Sequence, residues 1–147
     1  MIGPAGLWVR ARAAGHLHKQ EILTVTGPYG FTRNPLYLGS FILMIGAAIA
    51  AHSWWSALIL FGYFALFYSF VMRREERELY QHHGEAFKEY ARSVPLFFPR
   101  VTSAKIASGS AAAFSFAQYK KNREYRAAIG LLLLLLVFVV IWRLRSL

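Results

Sequence analysis

Two uncharged runs decide how this chain folds: LYLGSFILMIGAAIAA at residues 36–51 and SWWSALILFGYFALFYSFVM at residues 53–72, with only His52 between them. A helix crosses a bilayer core with about 20 apolar residues, or fewer where the bilayer is thin. Both runs are of that order, and neither holds an acidic or basic residue. So short a connection turns the chain straight back, which predicts an antiparallel membrane hairpin. Trp54 and Trp55 fall at its tip, where indoles favour the membrane–water boundary. Gly46, Ala47 and Ala50 set small residues along the first helix, a pattern that permits close helix packing.

Charge orients the hairpin. Arg10, Arg12, Lys19 and Arg33 precede it, Arg73, Arg74, Arg77, Lys88, Arg92 and Arg100 follow it, and the tip has no Lys or Arg. Basic residues concentrate on the cytoplasmic side, so both ends are expected there and the tip outside. Residues 73–93 read as a polar helix, which Gly84 is expected to divide. Phe87, Tyr90, Ala91 and Val94 give its second piece an apolar stripe, and Pro95 ends it. A third apolar run, residues 127–142 with six consecutive leucines, follows the basic stretch YKKNREYR at 119–126. Arg143 and Arg145 close it with positive charge at the end that would face outward, so the hairpin's orientation does not extend to this helix.

The expected fold is all-α and integral to the membrane: a helical hairpin, a further C-terminal membrane helix and a cytoplasmic-facing helical segment. The expected divisions are a membrane core at 1–100, a Ser-, Ala- and Gly-rich linker at 101–118 and a C-terminal membrane helix at 119–147. The whole-chain figures agree: 56% of the 147 residues are hydrophobic and the formal net charge is +10. A soluble nucleic-acid binder would spread its Lys and Arg over one face. Here they lie between uncharged stretches, which points to membrane lipids as partners and away from nucleic acid. The chain has no Cys, which excludes thiolate nucleophiles and Cys-based metal sites. His16-x-His18 and His82-His83 have no third ligand at helical or strand spacing, so no metal site is expected. Residues 2–9 are apolar but broken by Gly3-Pro4, too short a run to read as a signal peptide.

The chemistry concentrates in GPYGFTRNPLYLG, residues 27–39. Gly27-Pro28 and Asn34-Pro35 mark turns, and Pro35 suits the first helical position. A loop with one Arg and two Tyr is thus held at the membrane surface beside a helix N-terminus, an end that favours anions. The hairpin returns the chain to this surface at Arg73-Arg74-Glu75-Glu76. Arg33 and the carboxylates Glu75 and Glu76 are therefore expected to meet, one charge of each sign, as a grip for a zwitterion such as the amino-acid end of S-adenosylmethionine. Adjacent helical residues point about 100° apart, so the pair is expected to split in role. Spacing alone assigns Glu76 to Arg73 and turns Glu75 inward.

These two stretches together resemble the signature of the isoprenylcysteine carboxyl methyltransferases and phospholipid N-methyltransferases. That signature runs Gly-Pro-Tyr, three variable residues, then Arg-His-Pro-x-Tyr-x-Gly. After a membrane hairpin come Glu-Glu, then Phe-Gly-x-x-Tyr-x-x-Tyr and Val-Pro-x-x-x-Pro. Gly27, Pro28, Tyr29, Arg33, Pro35, Tyr37 and Gly39 match the first part. Glu75, Glu76, Gly84, Tyr90, Val94, Pro95 and Pro99 match the second, with His83 and Phe87 in place of Phe and Tyr. Asn34 stands where the family has His; it keeps hydrogen bonding but cannot titrate. Family members carry further membrane helices before this point, where this chain shows only the apolar residues 2–9.

The resemblance implies S-adenosylmethionine-dependent methyl transfer to a membrane-resident amphiphile, such as a prenylcysteine carboxylate or a phospholipid amine, on the cytoplasmic side. Arg33, Glu75 and Glu76 are the implied catalytic residues. Gly27, Tyr29, Arg33, Asn34, Tyr37 and Glu75 are the implied cofactor-binding residues. Blander roles stand beside these: Arg33 as an anchor for lipid phosphate, the Glu pair as a solvated helix face, and the tyrosines as interfacial belt residues. At the level of the whole chain, the alternatives are an NADPH-dependent membrane reductase of related architecture and a non-catalytic scaffold or truncated fragment.

Overall fold

Pro35 opens the first helix of the hairpin at a position where its missing N–H costs nothing, and the helix (Pro35–Ala51) ends where His52 takes the left-handed conformation, φ 48°. Ser53 then caps the return helix (Trp54–Ser93), its hydroxyl accepting from the Ser56 N–H at 3.3 Å. The two helices run antiparallel. The Tyr37 ring meets Tyr68 at 5.1 Å between centroids, and one turn deeper Phe41 meets Phe64 at 4.9 Å. Trp54 and Trp55 stand exposed at the tip.

The computed structural model describes residues 2–18, 22–107 and 112–145. Its helices, in chain order, are α1 (Ile2–His16), α2 (Pro35–Ala51), α3 (Trp54–Ser93), α4 (Phe116–Lys121) and α5 (Tyr125–Arg145), with a 3-10 turn at Gly27–Gly30. Among the described residues every regular element is helical. In that set, α3 is the helix long and apolar enough to cross a membrane; α2 is apolar but shorter, at 17 residues. Gly84 takes φ 51° and ψ −121°, which breaks α3 into 54–83 and 85–93 as its sequence position suggests.

Residues 2–9 are more than an apolar fragment. They begin the 15-residue helix α1, which packs antiparallel on α2. Pro4 is tolerated because it lies in the first turn. Glycines set the closeness of this contact. A Cβ on Gly6 would lie 2.7 Å from the Gly39 carbonyl oxygen, and one on Gly39 2.8 Å from the Gly6 oxygen. Farther along, a Cβ on Gly46 would lie 3.4 Å from the Gly3 nitrogen. At Gly46 the small side of α2 therefore meets α1.

The buried core lies at the polar end of the molecule. Leu23 and Val25, ahead of the 3-10 turn, pack with Phe87, Tyr90 and Val94, the apolar stripe after Gly84. Ala104 and Ile106, inside the stretch expected as a linker, pack against the same cluster. The C-terminal part closes over the end of α1. The Ser115 N–H donates to the Gly15 carbonyl at 2.8 Å, and the Asn122 amide donates to the Ala14 and Leu17 carbonyls at 2.9 Å each. Helix-end carbonyls that α1 cannot satisfy itself thus find donors.

Candidate functional site

The loop between the 3-10 turn and α2 is shaped by backbone demands before any charge is placed. Gly27 has φ +60°, and a Cβ there would lie 2.6 Å from the His16 ring, so glycine fits both the conformation and the space. Tyr29 is buried, and its carbonyl accepts from the Tyr90 hydroxyl at 2.9 Å. The segment after α3 then clamps the loop strand by strand of hydrogen bonds. The Arg33 N–H donates to the Pro95 carbonyl at 3.0 Å, the Arg100 N–H to the Phe31 carbonyl at 3.0 Å and the Ala104 N–H to the Gly30 carbonyl at 2.9 Å. The Thr32 hydroxyl donates to the Phe97 carbonyl at 2.9 Å.

This clamp aims the charged side chains. Arg33 Nη1 is paired with Glu76 across the hairpin, and the Tyr37 hydroxyl donates to Glu75 at 2.7 Å. Both carboxylates therefore reach the opposite arm. Helical spacing within α3 assigns Glu76 to Arg73; the antiparallel register gives it to Arg33 instead. Glu76 is the more enclosed of the pair, at 26% side-chain exposure, while Glu75 lies on the exposed side. The inward turn expected of Glu75 falls to Glu76 for the same reason. Arg33 is 15% exposed, and its Nε is buried without a hydrogen-bond partner. A buried, unsatisfied guanidinium N–H is costly and marks a place where an acceptor belongs.

Asn34 is 7% exposed, and its side-chain amide donates to the Leu96 carbonyl at 2.9 Å. In this position it ties α2's start to the segment after α3. Burial, with Tyr90 and Glu75 nearby, pushes the Tyr29 phenol well above its usual range. Burial also raises Tyr90. Both phenols stay neutral at physiological pH, and that of Tyr90 acts as a hydrogen-bond donor.

One pair escaped the sequence. Arg10 forms a two-pronged contact with Glu124, Nε to Oε2 at 3.0 Å and Nη2 to Oε1 at 2.8 Å, while Nη1 reaches the Leu36 carbonyl at 3.2 Å and the Ser40 hydroxyl. It joins α1, the first turn of α2 and the chain just before α5, one helical turn from Tyr37. The available signal was slight: Glu124 is the only acid after Glu89, set in an otherwise basic stretch.

The geometry thus joins both halves of the two-part motif around the open end of a hairpin. A family model described as phospholipid methyltransferase matches residues 11–86, which contain that hairpin and both halves of the Arg33–Glu76 pair. The chain belongs to the phospholipid methyltransferase family. Curated relatives extend the likeness. A nickel-cobalt-cadmium resistance protein of Alcaligenes xylosoxydans xylosoxydans is 38% identical over 96 residues, 65% of this chain and 44% of that protein. A cobalt-zinc-cadmium resistance protein of Cupriavidus metallidurans is 36% identical over the same length, 65% of this chain and 43% of that one. A protein-S-isoprenylcysteine O-methyltransferase of Schizosaccharomyces pombe is 27% identical over 88 residues, 60% of this chain and 37% of that one. The chain spans less than half the length of each of these relatives. No solved structure matches it. Among the described residues no group of three His, Asp or Glu side chains is placed to hold a metal ion.

Proposed function

We propose that this member of the phospholipid methyltransferase family is an integral membrane enzyme that transfers a methyl group from S-adenosylmethionine to a membrane-resident amphiphile. The observation that carries the reading is the pairing of Arg33 with Glu76 beside an Arg33 Nε that is buried and lacks an acceptor. The residues present fit the cofactor's amino-acid end. A carboxylate would supply the missing acceptor for Arg33, and the Glu pair would balance an ammonium. Tyr37 holds Glu75 in place by its hydroxyl. The bound cofactor supplies an electrophilic methyl group on a sulfonium.

The chain's own part is alignment and exclusion of water, since methyl transfer depends more on the line of attack than on strong acid or base. The clamp from residues 95–104 holds the loop against the hairpin end, and Tyr90 fixes the backbone of Tyr29. An ammonium acceptor must lose a proton before attack. Glu75, on the exposed side and bonded to Tyr37 through one oxygen, has its other oxygen for that proton. A carboxylate or thiolate acceptor needs no such step. The basic residues at both ends of the hairpin favour a cytoplasmic site.

Calorimetry on detergent-solubilised protein tests this directly. S-Adenosylhomocysteine is expected to bind and NADPH is not. Arg33→Ala is expected to weaken binding roughly ten- to hundredfold, the equivalent of about 1.5–3 kcal/mol for a charge-assisted hydrogen bond. Arg33→Lys recovers only part, because Lys lacks the planar fork. Glu76→Gln is expected to cost more affinity than Glu75→Gln. Binding of NADPH in place of S-adenosylhomocysteine, or an unchanged affinity in Arg33→Ala, overturns the proposal.

A further inference from the structure

With Arg33 already paired to Glu76 at the open end of the hairpin, the cations exposed to the surface of the membrane are others. Phe70, Arg73, Arg77 and Tyr80 follow one another at spacings of three, four and three residues, which places them on one face of α3. With Glu76 they line a shallow hollow of about 550 Å³. Arg73 and Arg77 stand one turn apart, exposed, and among the described residues neither has an ion-pair partner. Like charges at this spacing repel, and the one carboxylate lining the hollow, Glu76, is paired with Arg33. Arg74, on the neighbouring face, differs: it is paired with Glu78 at 2.9 Å.

The two ends of the stripe differ in polarity. Phe70 is 74% exposed and belongs to the apolar run that is read as crossing the membrane. Tyr80, a further turn out, has the Lys88 ammonium 5.3 Å from its ring centroid. From one end to the other the stripe offers an apolar contact, two cations without an ion-pair partner among the described residues, and an aromatic–cation pair. That order matches an acyl chain followed by a phosphate.

We infer that Phe70, Arg73, Arg77 and Tyr80 seat an anionic phospholipid, its phosphate on the two guanidinium groups and its acyl chain along Phe70. The seat rests on the reading of α3 as a membrane helix. Because Glu76 lines the same hollow, the seated lipid lies beside the candidate site. Guanidinium groups suit the role, since their planar donors match phosphate oxygens.

The test uses the purified full chain, incubated in detergent with phosphatidylglycerol or phosphatidylcholine, and native mass spectrometry of the lipid retained. Phosphatidylglycerol is expected to be retained over phosphatidylcholine. Retention is expected to fall roughly 30-fold in the Arg73→Gln/Arg77→Gln double variant, about fivefold for each cation near a membrane surface. Arg74→Gln keeps wild-type retention, and S-adenosylhomocysteine affinity is unchanged in both variants, which also reports that they fold. Should the double variant fail to fold, Arg77→Gln alone is expected to lose about fivefold. Equal retention of the two lipids, wild-type retention in the double variant, or an equal loss in Arg74→Gln overturns the seat. If no form binds S-adenosylhomocysteine while lipid retention follows the expected pattern, the methyltransferase reading fails and the seat stands.

Discussion

The two sides of α2 are built on different principles. Toward α1 the contact is backbone on backbone, with Gly6 against Gly39 and Gly3 against Gly46. Toward α3 it is ring on ring, with Phe41 against Phe61 and Phe64, and Tyr37 against Tyr68. On the glycine side backbone itself sets the limit, since a Cβ on Gly6 or Gly39 would lie within 3 Å of the other's carbonyl oxygen. The ring side has several side chains that can move aside, and much of α3 beyond the rings stays exposed, Ile59 and Leu66 by 69% and 68%. Position along α2 is therefore dictated from the α1 side, where Arg10 also grips the first turn through the Leu36 carbonyl. The candidate site at the start of α2 inherits its placement from that contact and from the 95–104 clamp. The aromatic hairpin carries it but leaves more freedom.

The hardest blow to this contrast is Gly39→Val. Its added carbon meets the Gly6 carbonyl and the Arg10 stem at 2.5–2.8 Å, and overpacking of this kind costs about 1–3 kcal/mol, more where backbone cannot shift. Thermal melting is expected to fall sharply, and S-adenosylhomocysteine binding with it. A wild-type melt would mean that α1 is a loose attachment and that the rings hold α2.

Tyr90→Phe probes the clamp without touching α1. It strands the buried Tyr29 carbonyl, a loss of about 1–3 kcal/mol. The pH dependence gives a second reading. Burial raises the folded Tyr90 phenol above its usual value. Its contribution is complete below the unfolded value of about 10 and is lost as pH rises beyond it, because the unfolded phenol ionises first. The melting gap between wild type and Tyr90→Phe is therefore expected to narrow above about pH 10. A constant gap would show that the phenol is not enclosed.

The smallest effect belongs to Gly62→Ala in α3. No atom lies within 4 Å of a Cβ placed there, so melting is expected to hold or rise slightly with the better helix former. A loss as large as that of Gly39→Val would erase the contrast, since it would give α3 a tight partner on this side too.

The site was legible in proportion to how local its causes are. Arg33, Tyr37, Glu75 and Glu76 could be brought together on paper because two apolar runs with one residue between them must return the chain to its starting side. Gly84 was legible as a break because glycine is the residue for φ 51°. The choice of partners was not legible. Glu76 faces Arg33 rather than Arg73 because of the register between two helices, which follows from how the rings of Tyr37, Phe41, Phe64 and Tyr68 interlock. Asn34, a motif residue with an expected pocket role, spends its amide on the Leu96 carbonyl 62 positions away.

By itself the sequence determined the helical hairpin, its polar and apolar ends, the kink at Gly84 and the two stretches that carry the family's motif. Each of these follows from short-range rules: apolar length, charge placement, glycine and proline chemistry. Only the tertiary structure decided that residues 2–16 form a helix locked on α2, that Arg10 pairs with Glu124 at a separation of 114 residues, and that residues 95–104 clamp the loop before α2. The physical reason is that these contacts depend on complementary shapes meeting across the chain. A glycine shows in the sequence that a close approach is allowed; what approaches it is settled only when the helices pack.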